Sequence, residues 1–65
     1  MTLGENIKSR RDNLGLSQEE LATAACITGA MVSQIENNIK MPSSTVLFLI
    51  ADRLNCKADD LRGSN

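Results

Sequence analysis

Leu16 to Asn38 reads LSQEELATAACITGAMVSQIENN, and this stretch decides the fold. Ser17 with Glu20 is a capping box, which satisfies orphan N–H groups at a helix start. Leu21, Ala22 and Ala25 follow as one apolar stripe, so the spacing predicts a helix from about Gln18 to Ala24. Thr28 is a second N-cap residue. Val32 and Ile35 repeat the helical spacing over about Gly29 to Asn37, and Asn37-Asn38 suits a left-handed stop. Ala22 is small enough for two helices to cross closely beside it. A short helix, a tight turn and a second helix with a mostly polar outer face make a helix-turn-helix.

Outward from this stretch, the rest of the chain also reads as helix. Leu3, Ile7 and Leu14 mark the inner stripe of a first helix, about Leu3 to Leu14, ended by Gly15. Arg11 falls on the same stripe, which is unusual for a charge. Lys8 points elsewhere and is solvated. A fourth helix starts near Ser43 or Ser44 and runs to Leu54, with Leu47, Ile50, Ala51 and Leu54 inward and Val46 at the edge. Phe48 and Leu49 are left over on its outer side. Asn55 resembles a left-handed cap. Asp59 and Asp60 open a last short helix, where the dipole favours acids, and Leu61 returns to the core. Lys57 leaves that helix start without a capping hydroxyl. Arg62 to Asn65 is either a tail or the start of a linker to a further domain.

Composition narrows the function. The chain has 65 residues, which suits one small domain (1–65) and leaves no room for both an enclosed catalytic cleft and a large core. It has no His, so the usual nucleophilic triads are excluded. No carboxylate pair or phosphate-cradling glycine loop stands out, and no enzyme is expected. Cys26 and Cys56 have no metal spacing and read as reduced thiols of a cytoplasmic protein. No metal, cofactor or small-molecule ligand is expected. The longest apolar run, Val46 to Ala51, is too short for a bilayer, and the first residues carry no apolar signal region. Net charge is −1 with a pI near 5.1. That argues against a strong sequence-independent grip on nucleic acid, which rests on many phosphate contacts. It leaves room for a specific reader with a few basic groups on one face.

The ordered motifs resemble the phage repressor and Cro group, the XRE family. Leu16 to Ala22 matches the opening of its second helix. Val32 to Asn37 matches its third, or recognition, helix. Pro42-Ser43 with Ile50-Ala51 and Leu54 matches its fourth. The resemblance runs from about Leu3 to Gly63 and implies an all-α, five-helix lambda-repressor-like DNA-binding domain, with its helix-turn-helix over about 18–37. It also implies a homodimeric repressor on a palindromic double-stranded operator. It implies a buried ion pair between Arg11 and Glu36.

The resemblance further implies site residues. The base-reading positions are Thr28, Gly29, Ala30, Ser33 and Gln34. Gly29 and Ala30 bring little or no hydrogen-bonding capacity, though Ala30 suits a thymine methyl. Arg10, Gln18, Asn37 and Lys40 are the phosphate candidates. Arg10 is either such a contact or part of a solvated face; Gln18 is either such a contact or simply a good first-turn residue. Cys26 stands where the family has Gly. It either holds a positive φ at a cost of about 1 kcal/mol or takes a different turn. Phe48 and Leu49, with Cys56, Lys57, Ala58 and Asp59, make a dimer surface, unless Phe48 tucks back onto the domain. A rival reading is a protein-interaction module of antitoxin type that no longer reads DNA. The acidic pI and bare Gly29-Ala30 favour it; Gln18, Gln34 and the helix spacing favour DNA.

Overall fold

Four of the five helices begin on a residue whose side chain answers a free N–H group. The computed structural model describes residues 1–62. The hydroxyls of Thr2, Ser17, Thr28 and Ser43 accept from the N–H groups of Glu5, Glu20, Met31 and Val46. They start α1 (Leu3–Asn13), α2 (Gln18–Ala25), α3 (Gly29–Glu36) and α4 (Ser44–Arg53). Glu5 and Glu20 close two full capping boxes by accepting from Thr2 and Ser17 N–H, each at 2.8 Å. Lys57 has no hydroxyl, so Asp60 accepts its N–H at 3.0 Å and fixes the start of α5 (Ala58–Leu61).

The helix ends follow one rule. Gly15, Cys26, Asn38 and Asn55 all have positive φ, at 71°, 59°, 61° and 59°. The next N–H in each case reaches back five residues: Leu16 to Arg11, Ile27 to Ala22, Ile39 to Gln34 and Cys56 to Ala51. This is the Schellman closure, and an apolar residue follows the left-handed one each time. Cys26 thus keeps the conformation that Gly adopts freely, with a steric cost of about 1 kcal/mol.

The core is Ile7, Leu21, Ala22, Ala25, Val32, Ile35, Leu47, Ile50, Ala51, Leu54 and Leu61. Two expectations change. Leu14 is 46% exposed, because α1 ends at Asn13 and Leu14 is its C-cap; Leu16 packs against the core instead. Leu49 is half-buried against the core, so Phe48 alone stands out on α4, at 65% exposure. The described residues form five helices and no strand, the all-α five-helix architecture expected. No helix among them is long and apolar enough to cross a membrane.

Candidate nucleic-acid interface

A buried polar joint holds the end of α3 from behind. Arg11 is the charge on the apolar stripe of α1. Its Nε donates to Glu36 Oε2 at 2.6 Å and its Nη2 to Glu36 Oε1 at 3.2 Å. A third bond runs from Nη1 to the Leu16 carbonyl at 2.7 Å, across the turn that leads into α2. Both side chains are buried. Such a fork suits a guanidinium and a carboxylate, and burial makes each partner dependent on the other. The bond to Glu36 holds the Arg11 guanidinium charged, raising its pKa above the ordinary value. Gln18 joins the same joint: its Nε2 donates to Glu36 Oε1 at 3.0 Å. One carboxylate at the end of α3 therefore ties together α1 and the first turn of α2.

A second joint fixes the same end of α3. Gly4 is buried where α1 meets the last turn of α3. A Cβ there would sit 2.5 Å from the carbonyl oxygens of both Ile35 and Glu36. Its N–H donates to Asn38 Oδ1 at 3.2 Å, and Asn38 Nδ2 donates to Thr2 Oγ1 at 3.0 Å. Sequence reasoning missed this contact. The sequence marks Asn38 only as a helix stop, and nothing local ties it to residue 4.

On the opposite side of α3 lie the expected reading positions. Val32 and Ile35 hold the helix to the core. Thr28 and Ala30 are exposed; Ser33 and Gln34 are half-buried. Among the described residues, no partner takes the side-chain amide of Gln34, whereas Gln18 and Asn37 have theirs engaged. Gly29 departs from expectation. It is buried, because the Glu19 carboxylate lies over it, and a methyl group at that position would run into the carboxylate.

This arrangement has relatives. The helix-turn-helix family matches residues 7–61. The chain belongs to that family. It is 39% identical over 56 residues to the HTH-type transcriptional regulator DicA of Escherichia coli K12, covering 86% of this chain and 42% of that one. The chain thus spans less than half the length of that relative. Its fold matches the P22 c2 repressor bound to synthetic operator 9T at a TM-score of 0.94. That match has 26% identity and covers 100% and 98% of the two chains. The SinR regulator in complex with DNA matches at 0.85, with 31% identity over 92% of this chain and 97% of that one.

Within this helix-turn-helix chain the candidate phosphate groups are scattered. Arg10 is exposed, and its charge reaches Cys56 at the α4–α5 junction. Burial nevertheless pushes the Cys56 thiol above its usual range. Asn37 donates through Nδ2 to the Ser33 carbonyl at 2.9 Å. Lys40 is exposed beside an apolar groove of about 290 Å³, lined by Ile27, Met31, Ile35, Met41, Pro42 and Val46 among others. Ile39 and Met41 on this loop are exposed as well. Of the expected dimer surface, Phe48, Lys57 and Asp59 are exposed, with Asp59 paired to Arg62 at 3.0 Å; Leu49, Cys56 and Ala58 are half-buried.

Proposed function

We propose that this chain is the DNA-binding domain of a sequence-specific transcriptional repressor, acting in the cytoplasm on a palindromic operator as a homodimer. The observation that carries the reading is the seating of α3. Its end is locked by Glu36 and Gly4, and its polar side is free, on a fold that matches a repressor held on its operator. Gln34 is the main reader, since its free amide can pair with adenine N6 and N7, a contact that discriminates by about 1–3 kcal/mol. Thr28 and Ser33 add polar contacts and Ala30 meets a thymine methyl. Gln18 serves the backbone through first-turn N–H groups, because its side chain is held by Glu36. Arg10, Asn37 and Lys40 complete the phosphate set and fix register. Phe48 centres the dimer surface with Leu49 and Cys56 to Asp59, placing two α3 helices about 34 Å apart.

The test compares two variants on a site selected from random duplexes and on a scrambled one. Gln34→Ala loses affinity mainly for the selected site; Lys40→Ala weakens both about equally. An unchanged preference in Gln34→Ala overturns the assignment of α3. Sedimentation with and without the duplex checks the dimer: a monomer in every sample removes the Phe48 surface.

A second reading, a protein-interaction module, draws on the apolar loop. Ile39 and Met41 are exposed on either side of Lys40. A salt titration on mixed-sequence DNA separates the readings, since phosphate contacts give a steep fall.

A further inference from the structure

We infer that Glu19 reads sequence from outside the recognition helix, its carboxylate accepting from a cytosine amino group in the major groove. This rests on the DNA-reading role proposed above. Gly29 opens α3 and has no side chain, and the Glu19 carboxylate occupies the notch so left: a Cβ on Gly29 would lie 2.7 Å from Glu19 Cδ and closer still to Oε2. Bare Gly29-Ala30 therefore does not leave the reading surface without polar chemistry. The missing group comes from α2.

Three observations mark this carboxylate as a reader rather than a brace. First, its neighbours in α2 and α3 are spent: Glu20 accepts from Ser17 N–H, and Glu36 holds Arg11 and Gln18. Among the described residues, no hydrogen bond or ion pair engages the carboxylate of Glu19. Second, its backbone is fixed. Glu19 lies in the first turn of a capped helix, its carbonyl accepts from Thr23 Oγ1 at 3.0 Å, and the adjoining Leu21 and Ala22 are fully buried. Third, the residues flanking its seat are the exposed Thr28 and Ala30.

The chemistry then names the base. A carboxylate only accepts. In the major groove cytosine presents a lone amino donor, N4. Adenine sets its amino group beside the N7 acceptor, and guanine and thymine present acceptors that repel. Phosphates repel it too. Glu19 thus favours one base pair and disfavours DNA held by its backbone alone, so the acid serves selectivity at the expense of general affinity.

The test is selection from random duplexes with the full chain, its Glu19→Ala variant and its Gly29→Ala variant, followed by affinities on the selected and scrambled duplexes. The wild-type motif should hold one cytosine per half-site that both variants lose, with discrimination there falling about 5- to 150-fold. Gly29→Ala keeps the carboxylate but evicts it from its seat, so it should erase the same position. Glu19→Ala should bind the scrambled duplex more tightly than wild type does. Glu19 is exposed, and circular dichroism confirms that the variants fold. An identical motif from all three proteins overturns this inference and leaves the repressor reading intact. A wild-type protein that enriches no sequence overturns both.

Discussion

The two ends of this molecule are joined in different ways. Where α1 meets the end of α3, the contact is polar and tight: a forked ion pair, a shared glutamine, an asparagine on a backbone N–H and a glycine against two carbonyls. Where α4 and α5 close the other side, the contact is aliphatic, through Leu47, Ile50, Ala51, Leu54 and Leu61, with Asn6 Nδ2 to the Leu61 carbonyl as its long-range polar tie. Apolar packing is non-directional and tolerates small shifts. A buried fork does not, because each hydrogen bond has its own direction and a broken one leaves a buried charge. The polar joint therefore sets where the end of α3 sits, while α3 is buried chiefly against α2, on which α4 packs in turn.

Removing the centre of the polar joint breaks the contrast most directly. Glu36→Ala takes the forked partner from Arg11, leaving it the Leu16 carbonyl and the exposed Asp12, and should cost about 3–5 kcal/mol. Glu19→Ala, an exposed acid, should stay within about 0.5 kcal/mol of wild type. Chemical denaturation of the two variants decides, and equal midpoints sink the ion-pair argument. The next effect is steric. Gly4→Ala drives a methyl into the Ile35 and Glu36 carbonyls, which cannot turn aside, and should cost about 1–3 kcal/mol. Gly29→Ala meets only the end of a flexible Glu19, so it should fall within about 1 kcal/mol of wild type, aided by the better helix propensity of Ala. A melting comparison in which Gly29→Ala suffers as much as Gly4→Ala would show that Glu19 is locked in place.

The smallest effect sharpens the comparison with acid. Backbone bonds from Thr2 and Ser17 hold the carboxyls of Glu5 and Glu20 below their ordinary value of 4.5. A lowered folded pKa means stability present above the ordinary value and lost as pH falls through the folded one. Amide exchange should therefore loosen α1 and α2 first as pH drops below about 4.5, ahead of α4, whose cap is the neutral Ser43. The double variant Glu5→Gln, Glu20→Gln should remove that order; its persistence would place the acid sensitivity elsewhere.

Most of the helices were legible because their signals are local. Ser17-Glu20, Thr28 and Ser43 announce helix starts, and the spacing of Leu47, Ile50, Ala51 and Leu54 announces a buried face. The Thr2-Glu5 box at the start of α1 is a signal of the same local kind. What stayed hidden depends on pairs far apart in the chain. Gly4 looks like a poor helix residue until the end of α3 is set against it. Gly29 looks like a bare reading position until α2 brings Glu19 across it. Leu14 is misplaced by helical spacing alone, which runs one residue past the end of α1. Gln18 reads as a free amide until Glu36 takes it.

The Arg11–Glu36 pair also bears on how the chain is made. The partners lie 25 residues apart, so Arg11 emerges from the ribosome well before the carboxylate it needs. At about 5–20 residues per second that interval lasts roughly one to five seconds. During it, docking α1 by its Ile7 face would bury a guanidinium that lacks its forked partner and has only the exposed Asp12, at 3.2 Å, to answer it. Docking of α1 is thus penalised until Glu36 of α3 has been translated.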